Sequence, residues 1–168
     1  MPGPKETLPM ADAHEAGWLE LKIPPPVVAG VVAAAMWGLA LALPGLQFHY
    51  GMRVPLAILL SAGGVVLAGS VIVAFRRART TINPHKPGEA NALVCSGPYR
   101  FTRNPMYMGM LLVLLAWAAF LASPAALLGP VAFVLYINRF QIDPEERALQ
   151  WLFGGRYTAY KAKVRRWL

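Results

Sequence analysis

A chain of 168 residues that is 57% hydrophobic and only 14% charged is too apolar for an ordinary soluble domain. Sixteen Lys and Arg against eight Asp and Glu give a net charge of +8, and a single cysteine, Cys95, excludes an internal disulfide framework. No Asp, Glu, Lys or Arg occurs in residues 27–52, 54–75 or 104–138; a helical crossing needs about 20 apolar residues, so these runs describe an integral membrane protein.

Residues 1–26 form an N-terminal interfacial segment. Ala16, Leu19 and Ile23 recur at roughly helical spacing beside Trp18, which predicts a short surface helix over residues 13–23. Glu6, Asp12, Glu15 and Glu20 stand where a signal peptide carries basic residues, so the first apolar run is expected to stay as a membrane helix. Pro24-Pro25-Pro26 hands over to a first span at about 27–43, which Pro44-Gly45 ends. The second span, 54–75, carries Gly64, Ala68 and Gly69, small residues that let another helix approach. Arg76, Arg77 and Arg79 anchor its end, and a polar connector with Pro84, Pro87 and Gly88 follows.

Gly97-Pro98 is a turn, and Pro105 suits the first position of the next helix. From residue 105 to 138 the apolar stretch would measure about 50 Å as one helix, against a hydrocarbon core of about 30 Å. The chain must therefore fold back, with Ser123-Pro124 as the corner, giving spans at 105–122 and 125–138; Gly129-Pro130 is expected to kink the second. In the tail, 139–168, Asp143-Pro144-Glu145-Glu146 reads as a helix start with Asp143 as N-cap, and Gly154-Gly155 as its end. Tyr157, Tyr160, Val164 and Trp167 then alternate with Lys and Arg, as in a segment lying on anionic lipid headgroups.

The expected fold is thus an all-α integral membrane protein, one domain over 27–168, with four transmembrane helices of which the last two form a hairpin. The loop that holds Arg76, Arg77, Arg79, Lys86, Arg100 and Arg103, including the candidate cofactor loop at 80–104, and the tail at 139–168 carry the basic excess, which places both, and both termini, on the cytoplasmic side. Attraction of these residues to headgroups explains their charge with fewer assumptions than nucleic-acid binding.

His14, His49 and His85 are scattered and Cys95 has no cysteine partner, so no metal site is legible. There is no phosphate-binding Gly-rich loop, dinucleotide fingerprint or nucleophile elbow. Intramembrane acids and bases are absent, which argues against a proton-coupled pump. An interfacial pocket built from residues 91–107 and 139–146 remains as the candidate site.

At those residues the chain resembles the membrane-embedded isoprenylcysteine carboxyl methyltransferases and their relatives the phospholipid methyltransferases. The matching pattern is Asn91-Ala92-Leu93-Val94-Cys95-Ser96-Gly97-Pro98-Tyr99, then Arg103-Asn104-Pro105-Met106-Tyr107 with Gly109, then Glu145-Glu146 and Phe153-Gly154 with Tyr157 and Tyr160. Residues 19–26 also look like the start of the small bacterial members. The resemblance implies a methyltransferase of the bacterial inner membrane that uses S-adenosylmethionine, releases S-adenosylhomocysteine and takes a lipidic or prenylated acceptor from the bilayer.

Carried over by position, Asn91, Ala92, Leu93, Val94, Tyr99, Arg103, Asn104, Pro105, Met106, Tyr107, Glu145 and Glu146 would form the cofactor set. Of these Glu146, about 100° around a helix from Glu145, suits a structural role better. A carboxylate at Glu145 can bond ribose hydroxyls or an α-amino group, and tyrosine faces stabilise a sulfonium. Arg139 is the candidate for holding an acceptor carboxylate, so Arg139 and Glu145 are the two catalytic candidates. Gln141 stands where the animal enzymes have their substrate arginine, and Asn104 where they have histidine. These departures keep two alternatives in view: phospholipid N-methylation, and a non-catalytic membrane assembly protein.

Overall fold

A computed structural model describes residues 20–44, 51–78 and 93–168; among the described residues there is no strand. In chain order they form α1 (Pro25–Ala42), α2 (Arg53–Ala78), a 3-10 turn (Gly97–Arg100), α3 (Pro105–Leu121), a second 3-10 turn (Pro124–Leu127), α4 (Leu128–Ile137), a π turn (Asn138–Ile142), α5 (Asp143–Phe153) and α6 (Gly155–Lys163). Three stretches are long and apolar enough to cross a membrane: α1, α2 and the helical run Pro124–Phe153; α3 is apolar but shorter. Large apolar side chains such as Val31, Ile58, Leu59, Val65 and Val66 point outward. Hydrocarbon around the helices leaves no penalty on such a surface, whereas water would.

The apolar run after Asn104 folds back at the expected corner. Ala122 adopts a left-handed backbone, φ 50°, and its N–H caps the carbonyls of Ala118 and Ala119. Ser123 is extended and Pro124 opens the next turn.

Helices α2 and α3 make the most extensive helix pair, and two glycines set their distance. A Cβ on Gly64 would lie 2.8 Å from the Gly109 carbonyl oxygen, and one on Gly109 would lie 3.1 Å from that of Gly64. The backbones touch, so neither position has room for a side chain. On the other side α1 packs on α3 and α4 through Met36, Leu114 and Phe133, while Trp117 donates its indole N–H to the Ala33 carbonyl at 3.0 Å. Between α1 and α2, over α3, lies an open apolar cleft of about 1080 Å³ touched by Ala29, Ala57, Met106 and Met110.

The fourth apolar helix does not stop at Asn138 as the sequence suggests. It continues through the π turn into α5, and Asp143 is not an N-cap: its backbone is helical and its N–H donates to the Asn138 carbonyl. Pro144 supplies the reason. Proline has no N–H to offer the carbonyl four residues back and its ring crowds that carbonyl, so the helix widens by one residue. The orphaned Phe140 carbonyl accepts the Leu21 N–H instead, at 3.0 Å. The expected surface helix over 13–23 lies mostly outside the described residues; residues 20–22 form a turn.

Replacing Gly64 with Ala should destabilise the protein by about 1–3 kcal/mol, because backbone, not a yielding side chain, opposes the added methyl. Gly69, where an added Cβ meets nothing within 4 Å, is the control. Thermal unfolding of the two variants in the same detergent checks this; equal midpoints would contradict the helix crossing.

A candidate site between the third helix and the paired glutamates

Five charged residues, Arg139, Asp143, Glu145, Glu146 and Arg147, follow the last apolar residue of α4. Charge of that density is expelled from hydrocarbon, so the membrane-crossing part ends near Ile137 and α5 stands outside it. Adjacent residues on α5 point about 100° apart. The two glutamates therefore face different neighbours.

Glu146 faces the entry to α3 and the C-terminal segment. Its Oε1 accepts from Arg103 Nη2 at 2.8 Å and Nε at 3.2 Å, and its Oε2 accepts from Arg166 Nη2 at 2.8 Å. Arg166 also reaches Asp143 at 2.9 Å. Burial alone would raise the Glu146 carboxyl, but the hydrogen bonds from Arg166 and Arg103 outweigh it and hold it below the ordinary carboxylate range. Arg103 then spends its remaining guanidinium donor on the carbonyls of Val164, at 2.8 Å, and Lys161, at 3.3 Å. Thr102 Oγ1 and Asn104 Nδ2 both donate to the Arg166 carbonyl at 3.0 Å, and the Arg103 N–H donates to the Arg165 carbonyl. Trp167 closes the segment by donating to Asn138 Oδ1 at 3.0 Å.

Glu145 faces α3. Its Oε1 accepts the Tyr107 hydroxyl at 2.5 Å, and no guanidinium or ammonium among the described residues bonds to it. Burial raises its pKa from 4.5 to about 7; the Tyr107 hydrogen bond pulls it down and the Glu146 charge pushes it up. Tyr99 and Tyr160 complete the surroundings: the Tyr160 hydroxyl donates to the Tyr99 carbonyl at 2.8 Å, and the Tyr99 ring meets Phe75 of α2 edge-on. Burial, and after it the Glu145 charge, raises the Tyr99 hydroxyl above its ordinary range. Tyr157, read from sequence as part of an interfacial belt, is instead buried, its ring 6.2 Å from that of Tyr160.

The structure thus brings Tyr99, Tyr107 and Glu145 together, with Val94 buried nearby in chain and Leu93 half-buried. Asn91 and Ala92 lie outside the described residues. Pro105 is buried at the start of α3, and Met106 turns to the apolar cleft. Arg103, Asn104 and Glu146, expected in the cofactor set, are occupied with the C-terminal segment. Arg139 contacts neither glutamate of α5: its Nη1 bonds Glu20 Oε1 at 2.6 Å and its guanidinium lies 5.7 Å from the Phe140 ring centre. Arg147 Nη2 bonds Glu20 Oε2 at 2.5 Å, leaving the Glu20 side chain 4% exposed. Gln141 is fully buried, with Nε2 on the Ile23 carbonyl at 2.8 Å and Oε1 without a partner.

Sequence reasoning missed Thr102, Arg166 and Glu20. Nothing in the spacing of Glu20 and Arg139, 119 residues apart, announces their meeting. The basic run 161–166, read as a lipid-facing patch, had one usable signal: the three acids Asp143, Glu145 and Glu146 carry more charge than a single nearby arginine can neutralise.

The chain belongs to the phospholipid methyltransferase family, a family of membrane methyltransferases, whose model matches residues 52–156. It is 30% identical over 124 residues to protein-S-isoprenylcysteine O-methyltransferase A of Arabidopsis thaliana, covering 72% of this chain and 61% of that protein. A probable protein-S-isoprenylcysteine O-methyltransferase of Oryza sativa subsp. indica is 30% identical over 128 residues, 74% of this chain and 65% of the relative. The chain therefore spans less than two thirds of the length of these plant relatives. It is also 52% identical over 63 residues, 38% of this chain, to the whole of a Haemophilus influenzae protein described as uncharacterized. No solved structure matches.

Two outcomes follow from the paired glutamates. Replacing Glu146 with Ala takes the only carboxylate the described residues give the largely buried Arg103 and leaves Arg166 with Asp143 alone, and should cost about 3 kcal/mol in detergent unfolding, with early proteolysis after residue 155. For Glu145 the folded pKa lies above the unfolded one, so the stability it adds is complete below about pH 4.5 and is lost as pH rises through about 7. The melting temperature of the native chain should accordingly fall, relative to that of Glu145→Gln, between pH 4.5 and 7; parallel curves would show that Glu145 is not buried as described.

Proposed function

We propose that this protein is an S-adenosylmethionine-dependent methyltransferase of the isoprenylcysteine carboxyl O-methyltransferase type. In this reading it crosses the membrane four times, with α3 as the third crossing, and methylates a lipidic or prenylated acceptor at the cytoplasmic face. Both termini lie on that side, in keeping with the basic loop and tail. The observation that carries the reading is Glu145: a buried carboxylate that has, among the described residues, one hydroxyl partner, no counter-charge and tyrosines beside it. Such a site favours a ligand that brings its own positive charge and hydrogen-bond donors.

S-adenosylmethionine has both, in its sulfonium, α-amino group and ribose hydroxyls, and when bound it supplies an electrophilic methyl group. The residues fit it. Glu145 accepts from amino or hydroxyl donors, and Tyr99 and Tyr107 beside it would offer ring faces to a cation, worth up to about 2 kcal/mol each when dry. Methyl transfer is an in-line displacement: the acceptor's oxygen or nitrogen lone pair forms the new bond to carbon while the sulfur–carbon bond breaks and sulfur keeps its electron pair. A carboxylate acceptor loses no proton in this step. Positioning and electrostatics, not acid–base chemistry, therefore carry the catalysis. The apolar cleft over α3 gives hydrocarbon a route to the same end of the bundle.

Phospholipid N-methylation is a second reading, and Gln141 favours it. Its unpartnered Oε1 can accept a hydrogen bond from an N–H of a neutral amine, whose lone pair stays free to take the methyl and which then loses a proton, and it offers a carboxylate nothing. Transfer of labelled methyl groups to a farnesylcysteine analogue and to phosphatidylethanolamine, in the same detergent, separates the two.

Calorimetric titration of the purified protein with S-adenosylhomocysteine tests the cofactor assignment. Binding in the micromolar range is expected, with affinity rising as pH passes through about 7 and Glu145 ionises. Glu145→Gln should lose at least tenfold in affinity, or about 1.4 kcal/mol, and the pH dependence with it. A folded native sample that gives no heat would remove the proposal.

A further inference from the structure

Acidic charge is scarce at the end of the bundle that carries the candidate site. Among the described residues the carboxylates are Glu20, Asp143, Glu145 and Glu146, and the ion pairs they form take up Arg103, Arg139, Arg147 and Arg166. Arg100, Lys163 and Arg165 are exposed and have no acid partner among those residues. A cluster of unpaired cations repels itself and is complementary to a negative surface.

The same two segments also expose apolar side chains. Phe101 and Leu168 are each 74% exposed. Hydrogen bonds join the segments: the Arg103 N–H donates to the Arg165 carbonyl at 2.9 Å, and Thr102 Oγ1 donates to the Arg166 carbonyl at 3.0 Å. Residues 100–103 and 165–168 therefore make one rim. Its depth is set by what holds it. Phe101 precedes Pro105, the first residue of α3, by four positions, and the Trp167 indole is tied to Asn138, which directly follows α4. Both anchors stand where charge-free stretches of the chain meet charged ones, which is the level of lipid headgroups.

We propose that this rim is a docking surface for anionic phospholipid: Phe101 and Leu168 enter the acyl boundary, Arg100, Lys163 and Arg165 bind headgroup phosphates, and the docked lipid pins the C-terminal segment in place. A free phosphate ion would satisfy the cations but not the two exposed apolar side chains, so a lipid fits both parts of the rim. The lipid here is a partner of the fold and not the methyl acceptor. The pinned segment supplies the Lys161 and Val164 carbonyls to Arg103 and the Arg166 side chain to Glu146. Lipid bound at the rim thus steadies α5 against the start of α3, with Glu145 and Tyr107 between them, and bilayer composition tunes the candidate site without touching it. This holds whether or not the site transfers methyl groups.

Amide hydrogen exchange of the full chain tests it, in bilayer discs of phosphatidylcholine alone or of equal parts phosphatidylcholine and phosphatidylglycerol. Exchange over residues 101–104 and 161–168 should slow about tenfold in the anionic discs, the size expected when two or three basic residues meet such a surface. Exchange across the α2–α3 crossing should be the same in both. Arg100→Gln combined with Arg165→Gln should remove most of the difference; both side chains are exposed and support no ion pair among the described residues, so the variant keeps the fold. Phe101→Ser should speed exchange about threefold in both kinds of disc, because it removes apolar anchoring and no charge. Three results would overturn the proposal: equal exchange in the two kinds of disc, an undiminished lipid effect in the double-arginine variant, or the same slowing produced by inorganic phosphate added to phosphatidylcholine discs, which would make the rim a site for a free anion.

Discussion

The feature on which the rest of the structure depends is an imbalance of charge: among the described residues Glu145 is buried without a cation partner, while the carboxylates Glu146 and Glu20 each have two arginines. Glu146 has Arg103 and Arg166, and Glu20 has Arg139 and Arg147. A buried carboxylate with only a phenol for partner is costly. A fold tolerates such a group where a ligand makes up the deficit, and the proposed sulfonium donor does so.

The framework that keeps Glu145 in that state begins with Pro144. Its missing N–H widens the helix into a π turn, which turns Gln141 and Glu145 inward and frees the Phe140 carbonyl for the N-terminal strap. The glycine contact of α2 with α3 fixes where Tyr107 stands. Arg103 then ties the start of α3 both to α5 and to the carbonyls of the C-terminal segment, so that residues 161–167 act as a clasp across the loop and the paired glutamates. Strap and clasp grip the helical run from opposite ends of the sequence.

Much of this was legible beforehand because it depends on local rules. Apolar run lengths gave the helices, Ser123-Pro124 the corner, Gly64 the close crossing, and Gly154 the end of α5. The motif residues Tyr107 and Glu145 were placed in one pocket by resemblance, and they do meet. What the sequence hid is long-range or cooperative. A proline that normally reads as a helix start became the cause of a π turn, because apolar packing on both sides kept the helix going. Arginines read as facing lipid or substrate, Arg166 and Arg139, turned to acids that no spacing connects to them. Tyr157 looked amphipathic in a basic stretch and became buried once the clasp folded over it.

The claim at the centre is that Glu145 holds the methyl donor, and a structure determined with S-adenosylhomocysteine bound tests it most directly. The ligand should lie between α3 and α5, its amino group or ribose hydroxyls within hydrogen-bond distance of the Glu145 carboxylate and its sulfur facing Tyr99 or Tyr107. Ligand bound elsewhere, with the Glu145–Tyr107 pair closed and undisturbed, would contradict it.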